Sequence, residues 1–234
     1  MNELIKILEE FEQNRSLFLS EGKWNEDAVS ICFEPCAREI LCNGYFLVNG
    51  KYIIDLGAIE LYYHEEEGTI KDYIMYHIPE RYQNPKSKVF KLAKEKQQPL
   101  PYFRFGSFNL HQSGVDVTFE KPNEYRASFL IRSYRVLENT NHLKDMTIPF
   151  DKCSTHIFDD MFYEGFLLSS QNKSIIEWKH CSEKGKLQKP SLPRRNVTKR
   201  EYKYDESKKR YVISKLEEPD LRPWLFIREG IVEK

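Results

Sequence analysis

The sequence has no surplus of charge: Lys and Arg total 36, Asp and Glu total 36, in 234 residues. No global field therefore argues for a nucleic acid or a charged membrane surface. It has no CxxC pair, and its five cysteines (32, 36, 42, 153 and 181) are odd in number. That excludes a disulfide scaffold and reads as buried thiols in a reducing compartment. It has no apolar run of membrane-spanning length and no signal-peptide pattern, so the expectation is a cytoplasmic protein with no membrane contact. HExxH is absent, as are internal repeats and a low-complexity linker.

Aromatic residues are plentiful at 14%, with 15 Phe and 14 Tyr. They can build a core, or stack on bases or sugars. Charge of one sign gathers in a single place. Positions 184–210 hold eleven Lys and Arg against three acids, read as a basic loop able to meet phosphates or as a solvated surface.

Glu3 to Leu19 places apolar residues at helical spacing, and residues 1–33 are expected to form an N-terminal helical extension. Glu34 to Leu41 reads as a short helix with Pro35 near its start. Asn49-Gly50 between two apolar runs signals a hairpin, whose second arm is Tyr52 to Tyr63. Strands are expected at Tyr102 to Leu110, Val115 to Phe119, Arg126 to Leu137, Tyr202 to Tyr204, Tyr211 to Ile213 and Pro223 to Ile227. A long loop is expected over Pro79 to Pro101 and a short helix over Asp159 to Leu168. Together these give a single α+β domain over 1–234, a mostly antiparallel curved sheet with peripheral helices.

The hairpin's second arm carries the densest chemistry. Glu60, Tyr62 and His64 alternate, so one strand face presents a carboxylate, a phenol and an imidazole. Asp72, Tyr76 and His77 follow an acidic turn. This set fits general-base chemistry on a flat, stacked substrate, and it equally fits a half-buried strand end.

The order of local patterns along the chain resembles the methylpurine (alkyladenine) DNA glycosylase family. The stretches that carry the resemblance are Ala37-Arg38-Glu39-Ile40-Leu41, Ala58-Ile59-Glu60-Leu61-Tyr62, His77, Asn84-Pro85, Pro101 to Gly106, Ala127 to Tyr134, Pro193-Arg194-Arg195 and Pro223-Trp224-Leu225-Phe226. The chain differs from the family pattern in Leu61 between Glu60 and Tyr62, in Phe105 before Gly106, and in lacking a glycine after Pro193-Arg194.

The resemblance implies a monofunctional enzyme that removes alkylated or deaminated purines flipped from double-stranded DNA, acting as a monomer without metal or cofactor. It implies Glu60 as the base that activates water, with Arg132 organising water and carboxylate. Tyr62, His77 and Tyr102 would line the base pocket, with Tyr63, His64 and Tyr76 as neighbouring alternates. Phe105 would fill the gap left by the flipped nucleotide. Arg194, Arg195, Lys199 and Arg200 would track the DNA backbone. Alternatives remain for each: a salt-bridged acid for Glu60, an Arg–acid pair elsewhere for Arg132, core packing for the aromatics. Two other functions compete, a metal-dependent hydrolase built on His64, His77, His111 and Glu60, and a binding module of the same fold that has lost turnover.

Overall fold

In the computed structural model, the described residues are 1–75, 78, 102–111, 114–152, 157, 175–199, 202–208, 210–213 and 218–234. The expected loop over Pro79 to Pro101 and the expected helix over Asp159 to Leu168 lie outside them.

The chain opens with α1 (Asn2–Ser20) and α2 (Glu26–Cys42). Asn25 caps α2 by accepting the Ala28 N–H at 2.9 Å. From there Ala28, Val29, Cys32, Phe33, Cys36, Ala37, Ile40 and Leu41 form one buried stripe. α2 therefore begins eight residues before the short helix expected at Glu34 and crosses the expected boundary at residue 33. Pro35 sits inside the helix and not at its start. It is tolerated because both Pro35 and Ile31, whose carbonyl loses its donor, lie on the exposed face, where water replaces the bond. Leu4, Leu8 and Phe11 of α1 join the same buried cluster as α2, so the N-terminal segment is part of the core.

β1 (Gly44–Val48) turns into β2 (Tyr52–Glu65) through Asn49 and Gly50, at φ 53° and 68°, with Lys51 N–H bonded to Val48 C=O at 3.0 Å. Two left-handed residues in succession make the turn that the Asn-Gly pair predicts. β3 (Ser107–His111), β4 (Gly114–Thr118), β5 (Tyr125–Leu137), β6 (Asp151–Lys152) and β7 (Ile176–His180) follow. The main sheet is antiparallel and eight-stranded, in the order β3-β4-β5-β2-β1-β7, with β6 beside β5 and β12 (Leu225–Ile227) beside β2. The fold is α+β, as the sequence pattern predicts.

The region read as one basic loop over 184–210 contains β8 (Thr198–Lys199), β9 (Tyr202–Asp205) and the start of β10 (Arg210–Ile213), with β8 paired to β11 (Glu218–Pro219). β2 is the spine of the molecule. Its first residues lie between β1 and β5, and Ala58 to Glu60 lie between β12 and β5.

The pairing of β2 with β5 shifts register between Leu56 and Ala58 and again between Ala58 and Ile59. Ile54 and Leu56 before the shift, and Ile59, Leu61 and Tyr63 after it, all belong to the cluster packed on the helices. The period-two alternation changes phase across Gly57 and Ala58, as a β-bulge requires. Among the described residues, no helix is long and apolar enough to cross a membrane.

Candidate active site

Glu60 sits mid-sheet, opposite Leu130 of β5 on one side and Leu225 of β12 on the other. Its side chain is fully buried on the face away from the helices. An unpaired carboxylate there would be costly, and three donors converge on it. Arg195 N–H donates to Oε1 at 2.6 Å, Arg132 Nε lies 3.3 Å from Oε1, and Tyr62 O–H donates to Oε2 at 3.1 Å. A carboxylate oxygen accepts two hydrogen bonds. Oε1 thus accepts one hydrogen bond and faces the Arg132 guanidinium, and Oε2 keeps one acceptor position among these contacts. Arg132 Nη2 also approaches Arg195 C=O at 3.5 Å, and its side chain is 19% exposed.

Burial pushes the Tyr62 phenol well above its ordinary range, and the charge of Glu60 adds to this, so Tyr62 stays a donor. The Arg194 guanidinium carbon lies 4.4 Å from the centre of the Tyr62 ring and covers one face of it. Arg194 is itself fixed: it meets Asp72 in a bidentate pair at 2.6 and 3.2 Å and also bonds Asp220. Arg222 donates to both of those acids and lies 4.0 Å from the centre of the Trp224 ring. Burial alone would raise the Asp72 carboxyl, but Arg194 and Arg222 outweigh it and hold it below the ordinary range; Asp220 is lowered by the same two guanidiniums.

Several expected roles are corrected. Arg194 is only 4% exposed and committed to carboxylates, so it does not lie on a phosphate-contacting surface. Phe105 packs edge-on against Phe119, 6.4 Å between ring centres, on the helix-side core, which does not fit an apolar wedge beside Glu60. Tyr63 is buried on the opposite face from Glu60 and accepts from Arg15 Nε at 2.8 Å. His64 braces the turn after β2 by accepting the Asp72 N–H at 3.1 Å.

Tyr102 stacks on Arg126 at 4.1 Å and its hydroxyl accepts from Asn123 N–H at 2.9 Å. Arg126 faces His64, four positions along β5 from the residue opposite Glu60, a displacement of about 13 Å at strand rise. Tyr102 is therefore not part of the immediate Glu60 set. Arg195 is half-buried, its guanidinium 2.8 Å from Glu233. Lys199 is in β8, and His77, Tyr76 and Arg200 lie outside the described residues. Among the described residues, no three His, Cys, Asp or Glu gather as a metal site.

Two groups escaped the sequence reading. Asp220 and Arg222 flank Leu221 just before the Pro223-Trp224 pair, and that charged doublet beside an aromatic was the available signal. Asp55, a polar residue within the apolar run of β2, is fully buried against Arg135 at 2.8 Å, Arg228 at 2.9 Å and Lys184. Neither group touches Glu60; the Asp72 group supports Tyr62, and the Asp55 group fixes the other end of β2.

The assembled site can hold a charged carboxylate still, present one oxygen to a proton, and keep a guanidinium beside it. No family model, curated protein or solved structure matches this chain.

Proposed function

We propose that the protein hydrolyses the N-glycosidic bond of an alkylated or deaminated purine flipped out of double-stranded DNA. The observation that carries this is the fixing of Glu60 by the Arg195 N–H, Arg132 and the Tyr62 hydroxyl, with an acceptor position open on Oε2. Water at that position gives its proton to Glu60 as its oxygen bonds to the anomeric carbon. The carbon–nitrogen bond breaks, and the base leaves with the electron pair and takes a proton from solvent. The carboxylate charge faces the oxocarbenium character of the transition state. Arg132 orients the carboxylate. The extruded base stacks on the face of Tyr62 opposite Arg194. The reading calls for duplex DNA as partner, a monomer, no metal, and a cytoplasmic setting.

The test is incubation of purified protein with duplex DNA carrying one hypoxanthine, one ethenoadenine or random methyl lesions, followed by alkali to cleave abasic sites. Cleavage by the wild type that disappears with Glu60→Gln supports the assignment. Cleavage that survives Glu60→Gln removes Glu60 from the mechanism. DNA binding without cleavage on any lesion points to a module that binds nucleic acid and does not turn it over.

A further inference from the structure

We propose that Glu233 is a positioning residue for the Glu60 carboxylate, acting through Arg195. Arg195 is the crossing point of the site. Its N–H holds Glu60 Oε1 at 2.6 Å, its C=O receives Arg132 Nη2 at 3.5 Å, and its side chain reaches Glu233 Oε2 at 2.8 Å. The residue after it, Asn196, is left-handed at φ 55°, so the orientation of the Arg195 peptide depends on a tight turn. A guanidinium anchored at its far end limits how that turn can rotate.

Glu233 is well placed to be the anchor because its own backbone is docked. Phe150 N–H bonds Val232 C=O at 2.8 Å, Lys234 N–H bonds Phe150 C=O at 3.0 Å, and Lys234 Nζ lies 3.1 Å from Asp151. Ile231 packs beside Ala58, Leu225 and Ile227, the apolar cluster next to Glu60 on β2 and β12. The Glu233 side chain is 13% exposed, and its Oε1 is buried with no hydrogen-bond partner among the described residues. Such an oxygen costs stability. The contact that offsets the cost is the one to Arg195, so this carboxylate's effect is directed at the loop that holds Glu60. That the effect reaches catalysis rests on the reading of Glu60 as the base; the mechanical link does not.

The experiment is amide hydrogen exchange by NMR on full-length wild type, Glu233→Gln and Glu233→Asp, with thermal unfolding alongside. A part-buried ion pair is worth up to about 1 kcal/mol, so Glu233→Gln is expected to speed exchange of the Arg195 amide about fivefold. Amides of β2 and β5 keep their rates, and the melting temperature moves by no more than about 4 °C. Glu233→Asp, which keeps the charge, retains more protection than Glu233→Gln. On a damaged duplex that the wild type cleaves, Glu233→Gln lowers kcat and leaves KM unchanged. An Arg195 amide whose exchange is the same in both variants overturns the proposal, and so does a rise spread evenly over β2 and β5. Cleavage that survives Glu60→Gln would remove Glu60 as the base, and with it the catalytic half of the proposal, while leaving the exchange result to stand or fall separately.

Discussion

Asp55 and Glu60 share the face of β2 turned away from the helices, although five positions separate them and a regular strand would place them on opposite faces. The phase change at Gly57 and Ala58 makes this possible. Without it, one of the two carboxylates would enter the helix-side core, where its partners could not reach it.

Gly57 is required at that point by space. A Cβ there would meet Phe150 Cδ1 at 2.6 Å, Ser133 Oγ at 2.7 Å and Ile231 Cδ1 at 3.1 Å. Gly57→Ala is expected to lower stability by about 1–3 kcal/mol, because the buried Phe150 ring and β5 must shift together. Urea unfolding would measure it. An unchanged midpoint would mean that the bulge has room to relax.

Asp55 balances three buried cations at once. Burial alone would raise its carboxyl, but Lys184 and Arg228 overcome this and hold it below its ordinary value of 3.8. Asp55→Asn leaves Arg135, Arg228 and Lys184 buried without their counter-ion and is expected to cost about 3–5 kcal/mol. With the folded-state pKa lowered, this carboxylate's contribution is fully present above the unfolded value. It is lost as pH falls from about 5 through the folded value. Chemical denaturation at pH 7 and pH 3 would show a gap between wild type and Asp55→Asn that narrows at the lower pH.

The hairpin, the long strands and the pairing of Glu60 with Tyr62 were legible because each rests on local chemistry. Asn-Gly demands a left-handed turn, and alternation assigns a face. Pro35 marks a helix start by local pattern, yet α2 begins at Glu26, because an exposed helix face absorbs the missing bond. Arg194 could not be read as buried at all. Its carboxylate partners, Asp72 and Asp220, are 122 and 26 positions away, and the stretch around it is basic. A charge run looks solvated until the fold supplies acids from elsewhere.

Arg194 and the exposed lysines of the same stretch should therefore behave differently. Arg194→Ala breaks a fully buried pair and is expected to destabilise by about 3–5 kcal/mol. Lys203→Ala, at an exposed position of β9, is expected to leave stability within about 0.5 kcal/mol. If β9 contacts phosphate, that substitution lowers the salt slope of DNA binding by about one. Melting temperatures and binding titrations at several salt concentrations separate the two effects.

His64 makes the fold sensitive to mild acid. Burial, then the nearby charges of Lys71 and Arg126, lower its imidazole from 6.5 to about 4, although Asp72 opposes this. A histidine held neutral in the fold but free to protonate when unfolded loses stability for the folded state as pH drops from about 6.5 to 4. The size is on the order of 3 kcal/mol. His64→Gln keeps an acceptor for the Asp72 N–H and has no proton to gain, so its stability should stay flat between pH 6.5 and 4.5. Urea midpoints at pH 7, 6 and 5 for both proteins test this, and parallel slopes would remove His64 as the cause.

Arg132 offers the sharpest separation of site from scaffold. Its side chain retains exposure, and its Nε stands 3.3 Å from Oε1. Glu60 keeps the Arg195 N–H and the Tyr62 hydroxyl when Arg132 is removed, so the fold should survive Arg132→Gln with a loss near 1 kcal/mol. The chemical step is different. A charge placed to hold the base contributes most when charge develops, and loss of such a group lowers the rate about 10²- to 10³-fold. Arg132→Lys restores the charge without the planar fork and should recover part of that loss. Single-turnover cleavage of a damaged duplex, with melting temperature as the control, distinguishes the cases. Equal rates for wild type and Arg132→Gln would make Arg132 a structural partner of Glu60 and nothing more.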